Sequence, residues 1–207
     1  WTLFEHSFSS ERKYNNPFLD AQVDVVFRQG ENHWKVPALW AGGDMWVVRF
    51  APPTQGEYAF RVTCSDPANV ALNEAAGTLR VTPYTGDNPL LAHGFLRIAA
   101  DQRHFEHADG TAFLWLGDTW WKNMCKRITW EDFRELTADR KAKGFNAVQI
   151  VCGPYPDEPM MEARWGNEGG MPYATRDFSV VNPDYFKFAD RRIAHLVDSG
   201  IVPVIFG

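Results

Sequence analysis

The chain has 207 residues, 45% of them apolar and 23% charged, with a net charge of -5. That is apolar material enough for a packed core in one or two domains. The acidic balance argues against a nucleic-acid partner, which requires a basic face to neutralise phosphates. No run approaches the roughly 18 apolar residues of a membrane helix, so no membrane partner is expected either.

Cys64, Cys125 and Cys152 are too few and too scattered for a disulfide framework, and no CxxC occurs. The first residues, Trp1 to Phe8, have strand character and lack the basic start of a signal peptide. The chain is therefore read as a piece of a longer precursor, with no compartment assigned. Nine tryptophans stand out. They serve either as core filling or as flat shelves for sugar rings, since an indole joins a large apolar face to one polar edge.

From residue 1 to 84 short alternating segments succeed one another: Gln22–Phe27, His33–Val36, Met45–Phe50 and Glu57–Cys64, with a closing strand near Gly77–Pro83. Alternation at period two means one face buried and one wet. Turns at Gly30-Glu31-Asn32, Ala41-Gly42-Gly43-Asp44 and Pro52-Pro53 separate them. About seven short strands at this spacing predict an immunoglobulin-like β-sandwich. Trp34, Trp40 and Trp46 then fill the space between sheets or form an exposed platform.

Residues 85–94 are turn-rich and read as a linker, with a second domain over 95–207. Asp109-Gly110 predicts a hairpin pairing His104–His107 with Ala112–Leu116. His104 and His107 lie three apart on a strand and so face opposite ways, which argues against a shared metal ion. No metal and no cofactor is expected.

The central stretch is Phe113-Leu114-Trp115-Leu116-Gly117-Asp118-Thr119-Trp120-Trp121. It reads as one buried strand that delivers a carboxylate and two indoles to its end. Thr129 opens a helix as N-cap, with Asp132 closing a capping box, and Gly144 stops it. Phe145–Cys152 is the next strand, followed by a long loop, Gly153–Val181, of the kind that is functional or mobile. Asn182-Pro183 opens a second helix that ends at Gly200, and Ile201–Phe206 is a third strand interrupted by Pro203. Apolar strands alternating with helices predict a parallel sheet. The whole is read as multidomain: an all-β sandwich, then the first three βα units' worth of a TIM (β/α)8 barrel.

Three runs carry a resemblance: Gly110–Trp121 (GTAFLWLGDTWW), Phe145–Val151 (FNAVQIV) and Gly200–Ile205 (GIVPVI). They resemble the apiosidase-like glycoside hydrolases. Asn16–Asp20 and Phe50–Pro53 are similar to the β-sandwich that often precedes that barrel. The resemblance implies a glycoside hydrolase acting on plant cell-wall (pectic) oligosaccharides, bacterial and secreted or periplasmic, with a carbohydrate as its partner. It implies that Asp118, Trp120 and Trp121 line a sugar subsite, with Gln149 at the end of the second strand. The family's two catalytic carboxylates are expected beyond Gly207, so none is assigned here and this piece is expected to be inactive. A non-catalytic glycan-binding or adhesion protein on the same scaffold is the alternative.

Each candidate also has a plainer reading. Asp118 either accepts from sugar hydroxyls or caps a short turn. One of Trp120 and Trp121 faces the pocket and the other packs behind it. Gln149 meets either a polar pocket or an internal network. In the long loop, Tyr155 and Trp165 are candidate substrate contacts, with Asp157, Glu158 and Arg164 beside them. Cys152 is read as a buried thiol and not a nucleophile.

Overall fold

The structure, a computed structural model, describes residues 1–159 and 161–206. The chain forms two compact units, Trp1–Tyr84 and Thr85–Gly207.

The first unit holds β1 (Phe4–Ser9), α1 (Pro17–Asp20), β2 (Val23–Gln29), β3 (Asn32–Gly42), β4 (Met45–Phe50), β5 (Gly56–Cys64), α2 (Val70–Asn73) and β6 (Ala76–Val81). All six strands lie in one antiparallel sheet, ordered β1-β4-β3-β2-β5-β6. Val23, Val25 and Phe27 of β2, Trp46, Val48 and Phe50 of β4, and Tyr58, Phe60 and Val62 of β5 form its core. Every second residue of each strand contributes, as period-two alternation requires.

The expected two-sheet sandwich is not present. The strands make one curled sheet, and the reason is β3. Its first half, Asn32–Ala38, pairs with β2, and its second half, Ala38–Gly42, pairs with β4. One long strand thus spans the place where a sandwich would break into two sheets. A register shift between Trp40 and Gly42 gives it a bulge, which bends a strand and increases its twist. Trp46 is buried, while Trp34 and Trp40 pack against the same core. The three indoles therefore fill the interior of the curl and do not form a platform.

The second unit opens with α3 (Pro89–His93), within the stretch read as a linker. Asn88 caps it and also donates to the Val197 carbonyl at 2.7 Å. β7 (Leu96–Ile98), β8 (Phe105–His107) and β9 (Ala112–Phe113) form a small antiparallel sheet. Asp109 shapes the β8–β9 turn by accepting from the Thr111 amide at 2.9 Å, and Gly110 takes a positive φ of 90°. Then come β10 (Gly117–Thr119), α4 (Trp130–Ala142), β11 (Ala147–Val151), α5 (Pro183–Asp198) and β12 (Val202–Phe206), with β10-β11-β12 a parallel sheet.

The TIM barrel expectation is also corrected. Among the described residues, strands predominate and helix accounts for 22%, and the run β10-α4-β11-α5-β12 forms an open sheet of three parallel strands, which is not the barrel's pattern. The central stretch is not one strand. Phe113 ends β9 in one sheet and Gly117 begins β10 in another. Leu114, Trp115 and Leu116 between them are exposed, at 81%, 42% and 41%. Asn146 holds this break open: it donates to the Leu114 carbonyl at 2.5 Å and accepts from the Leu116 amide at 2.9 Å. An apolar run signals burial only when its backbone finds a ladder, and here a side chain takes the ladder's place.

Pro203 lies opposite Val148 on β12, one of the two edge strands of this sheet among the described residues. An edge position tolerates the missing donor.

Candidate functional site

Successive residues of a strand face opposite sides of the sheet, and this alternation sorts the candidates. On one face of β11, Val148 and Ile150 are buried against α4 and α5 with Phe133, Ala189 and Leu196. Asp118 lies beside Val148 in the register, so it shares this helix-covered face. Trp120, two residues on, is 6% exposed in the same cluster. Asp118 accepts from Arg140 Nε of α4 at 2.5 Å, from Trp120 Nε1 at 3.1 Å and from the Thr119 amide at 2.8 Å. Arg140, and then these other donors, hold its carboxyl below the usual carboxylate range. Asp118 therefore ties β10 to α4 and fixes the Trp120 ring.

The other face carries Thr119, Gln149 and Val204 in one row, followed by Val151 and Phe206. Among the described residues the Gln149 amide and the Thr119 hydroxyl have no hydrogen-bond partner, although Gln149 is half-buried. At the carboxyl end of this face, Val151 packs with Cys125, Tyr155, Trp121 and Trp165. The Trp121 ring also approaches Phe206, with centroids 6.4 Å apart. Trp121 and Gln149 thus share a face, and Asp118 and Trp120 lie on the opposite one.

Around the indoles sits a network of charge. Trp121 Nε1 donates to Asp157 at 3.0 Å. Lys122 pairs with Asp157 at 3.3 Å and with Glu158, and its ammonium lies 4.4 Å from the Trp165 ring centroid. The Arg164 guanidinium lies 4.8 Å from that ring and 3.8 Å from Glu158. Cations over an indole are attracted by its quadrupole. The Trp121 N–H holds the Asp157 carboxyl below its ordinary range, and Lys122 adds to this. Glu158, then Asp157, push the Lys122 ammonium up. Asp157 is therefore set as an ion-pair partner, while a general acid needs a raised carboxyl.

Tyr155 is 3% exposed, so it supports the cluster from below. Its hydroxyl and the Trp165 indole N–H are buried without a hydrogen-bond partner among the described residues. Burial pushes the Tyr155 phenol far up. Cys152, behind the cluster near Tyr185 and Asp190, is pushed up to about 11, chiefly by burial. At neutral pH it remains a thiol.

Sequence reading passed over Lys122, Arg140 and Arg192. Of the three, Arg192 left a signal. It lies on the buried stripe of α5 with Tyr185, Ala189 and Leu196, where a charge is out of place unless it is paired.

The arrangement is a polar, indole-lined surface at the carboxyl ends of parallel strands, where open parallel sheets bind ligands. Comparison with known proteins supplies the rest. Residues 99–207 match the family model described as "Apiosidase-like, catalytic domain". Residues 1–65 match one described as "Domain of unknown function (DUF5060)". The first match covers just over half the chain, and the protein belongs to the apiosidase-like, glycoside hydrolase-like family. No curated protein matches it. A provisionally assigned glycoside hydrolase from Bacteroides vulgatus ATCC 8482 is 27% identical, with a TM-score of 0.75, over 100% of this chain and 40% of that one. A family 5 glycoside hydrolase from the same organism is 21% identical over 59% of this chain and 25% of that one. Its TM-score of 0.42 is too low to carry an argument. The chain thus spans 40% of the length of the first of these structures.

Proposed function

We propose that the protein is part of a glycoside hydrolase acting on plant cell-wall, pectic oligosaccharides, and that Trp121, Gln149 and Trp165 contact the sugar. Asp118, Trp120 and Tyr155 support that surface. The observation that carries the reading is the unpartnered Gln149 amide beside the Thr119 hydroxyl, on the face that also bears Trp121. Sugar hydroxyls are donors and acceptors at once, and an amide side chain offers both. The indole supplies the apolar wall for a ring face. In the same reading, residues 1–84 are an accessory β-module, 85–94 the connection and 95–207 part of the catalytic domain.

The test is turnover of aryl glycosides and pectic oligosaccharides by the full-length protein. Hydrolysis of at least one is expected, and silence across a broad panel would overturn the hydrolase reading. Gln149→Leu should then raise the KM about tenfold or more, the order expected for one lost hydrogen-bonding partner. An unchanged KM would remove Gln149 from the site. The second reading, a glycan-binding protein without turnover, draws on the ion pairs that occupy Asp157 and Glu158. Retention of an intact glycan by the full-length protein would favour it.

A further inference from the structure

Arg192 is charged and long, yet its side chain is 2% exposed. Burying a guanidinium is costly unless its donors are met. Here they are met by the backbone of one segment. Nη1 donates to the carbonyls of Asn123 at 2.6 Å and Cys125 at 3.2 Å, and Nη2 to that of Ile128 at 2.8 Å. Nη2 also meets Glu168 Oε1 at 3.0 Å. The first three acceptors belong to the irregular connection between β10 and α4, which carries Trp121 and Lys122. The fourth belongs to the connection between β11 and α5, which carries Tyr155 and Trp165. One side chain on α5 therefore reaches both segments that build the indole cluster.

We propose that Arg192 is the positioning residue of this site: it acts through those carbonyls to set Trp121 and Lys122 against the loop that holds Asp157 and Trp165. The proposal rests on the functional reading above for its ligand arm, but not for its structural arm. A planar fork reaches three carbonyls at once and a lysine does not, so the conservative exchange is informative. The guanidinium Cζ also lies 5.6 Å from the Phe133 ring centroid, which fixes its approach from the helix side.

The experiment compares full-length wild type with Arg192→Lys, Arg192→Met and Glu168→Gln. Hydrogen exchange is followed at the amides of residues 123–128 and of Ala147–Val151, and the KM or Kd for a pectic oligosaccharide is measured alongside. In Arg192→Lys, protection over 123–128 should fall about tenfold, as for lost bonds to a charged group, while β11 stays within about twofold. The ligand constant should weaken about tenfold with kcat changed less. Glu168→Gln, at a half-exposed position, should fold normally and give a smaller loss in the same direction. It decides the matter if Arg192→Met does not fold. Even loss of protection across the unit, or an unchanged ligand constant in Arg192→Lys, would overturn the proposal. If wild type binds no glycan, the functional reading fails, and the exchange pattern alone still decides whether Arg192 orders the segment.

Discussion

At the scale of single residues, Asp118 shows how position changes meaning. Its carboxylate is 29% exposed and ends on Arg140 and Trp120, so removing its charge weakens the bond to a buried indole N–H and takes from Arg140 a partner it holds alongside Asp139. Asp118→Asn should therefore destabilise the second unit by roughly 1–3 kcal/mol, the usual penalty for a lost charged hydrogen-bond partner. The loss has a pH signature. A carboxyl whose folded pKa is depressed contributes stability above its unfolded value of about 4 and loses that contribution as pH falls through the folded value. Denaturant melts of wild type and Asp118→Asn should accordingly differ most near pH 7 and converge in acid. A constant difference across pH would assign the effect to shape and not to charge. Cys152 offers a second check. With its thiol pushed up to about 11, alkylation at pH 8 should run more than about a hundredfold slower than for an ordinary cysteine near 8.5.

Among the elements, the two long helices were legible from local chemistry. Thr129 and Asp132 form the capping box read from their spacing, with Thr129 Oγ1 accepting from the Asp132 amide at 3.1 Å. Asn182 and Pro183 start α5 as their types suggest. Thr129→Ala should cost about 1 kcal/mol in a thermal or chemical melt. What local chemistry left out was the order inside the long loop. Asn167 donates to the Tyr185 carbonyl at 2.8 Å, and Asn182 donates to those of Gly169 at 2.8 Å and Met171 at 2.7 Å. A Cβ on Gly169 would collide with the Asp184 carbonyl and come within 2.6 Å of the Tyr185 nitrogen. Gly169→Ala should thus weaken the start of α5 far more than an exposed glycine exchange would, with a lowered melting temperature as the readout. In sequence that glycine is one position of the long loop Gly153–Val181. Its neighbour across space is 15 residues away along the chain (184 minus 169), beyond the reach of any turn rule.

For the whole molecule, strand content was readable but sheet membership was not. Period-two alternation marks which residues are buried, and it did so for β2, β4 and β5. It does not say whether the next strand joins the same sheet or faces it from another, because both arrangements bury alternate residues. The answer lay in the length of β3 and its change of partner midway. The site was legible to the same extent. Indoles and an amide near strand ends were visible, but the choice of face depended on register, which assigned Asp118 to the helices and Gln149 to the open side. The core of the first unit is drawn from residues 8–72, with further packing out to Val81. Residues 1–84 made alone should therefore give a β-type circular dichroism spectrum and a cooperative melt. A non-cooperative transition would mean that the curled sheet depends on something outside it.

The alternation along β11 has one more effect. Deleting a single amino acid just ahead of Ala147 would turn the ribbon by half a revolution, driving the Gln149 carboxamide under the helices and moving Val148 and Ile150 to the face that now bears it. Indels upstream of that ribbon should therefore be far more damaging than any point change within it, and a deletion scan of Gly144–Asn146 scored by yield of folded protein would reveal the asymmetry.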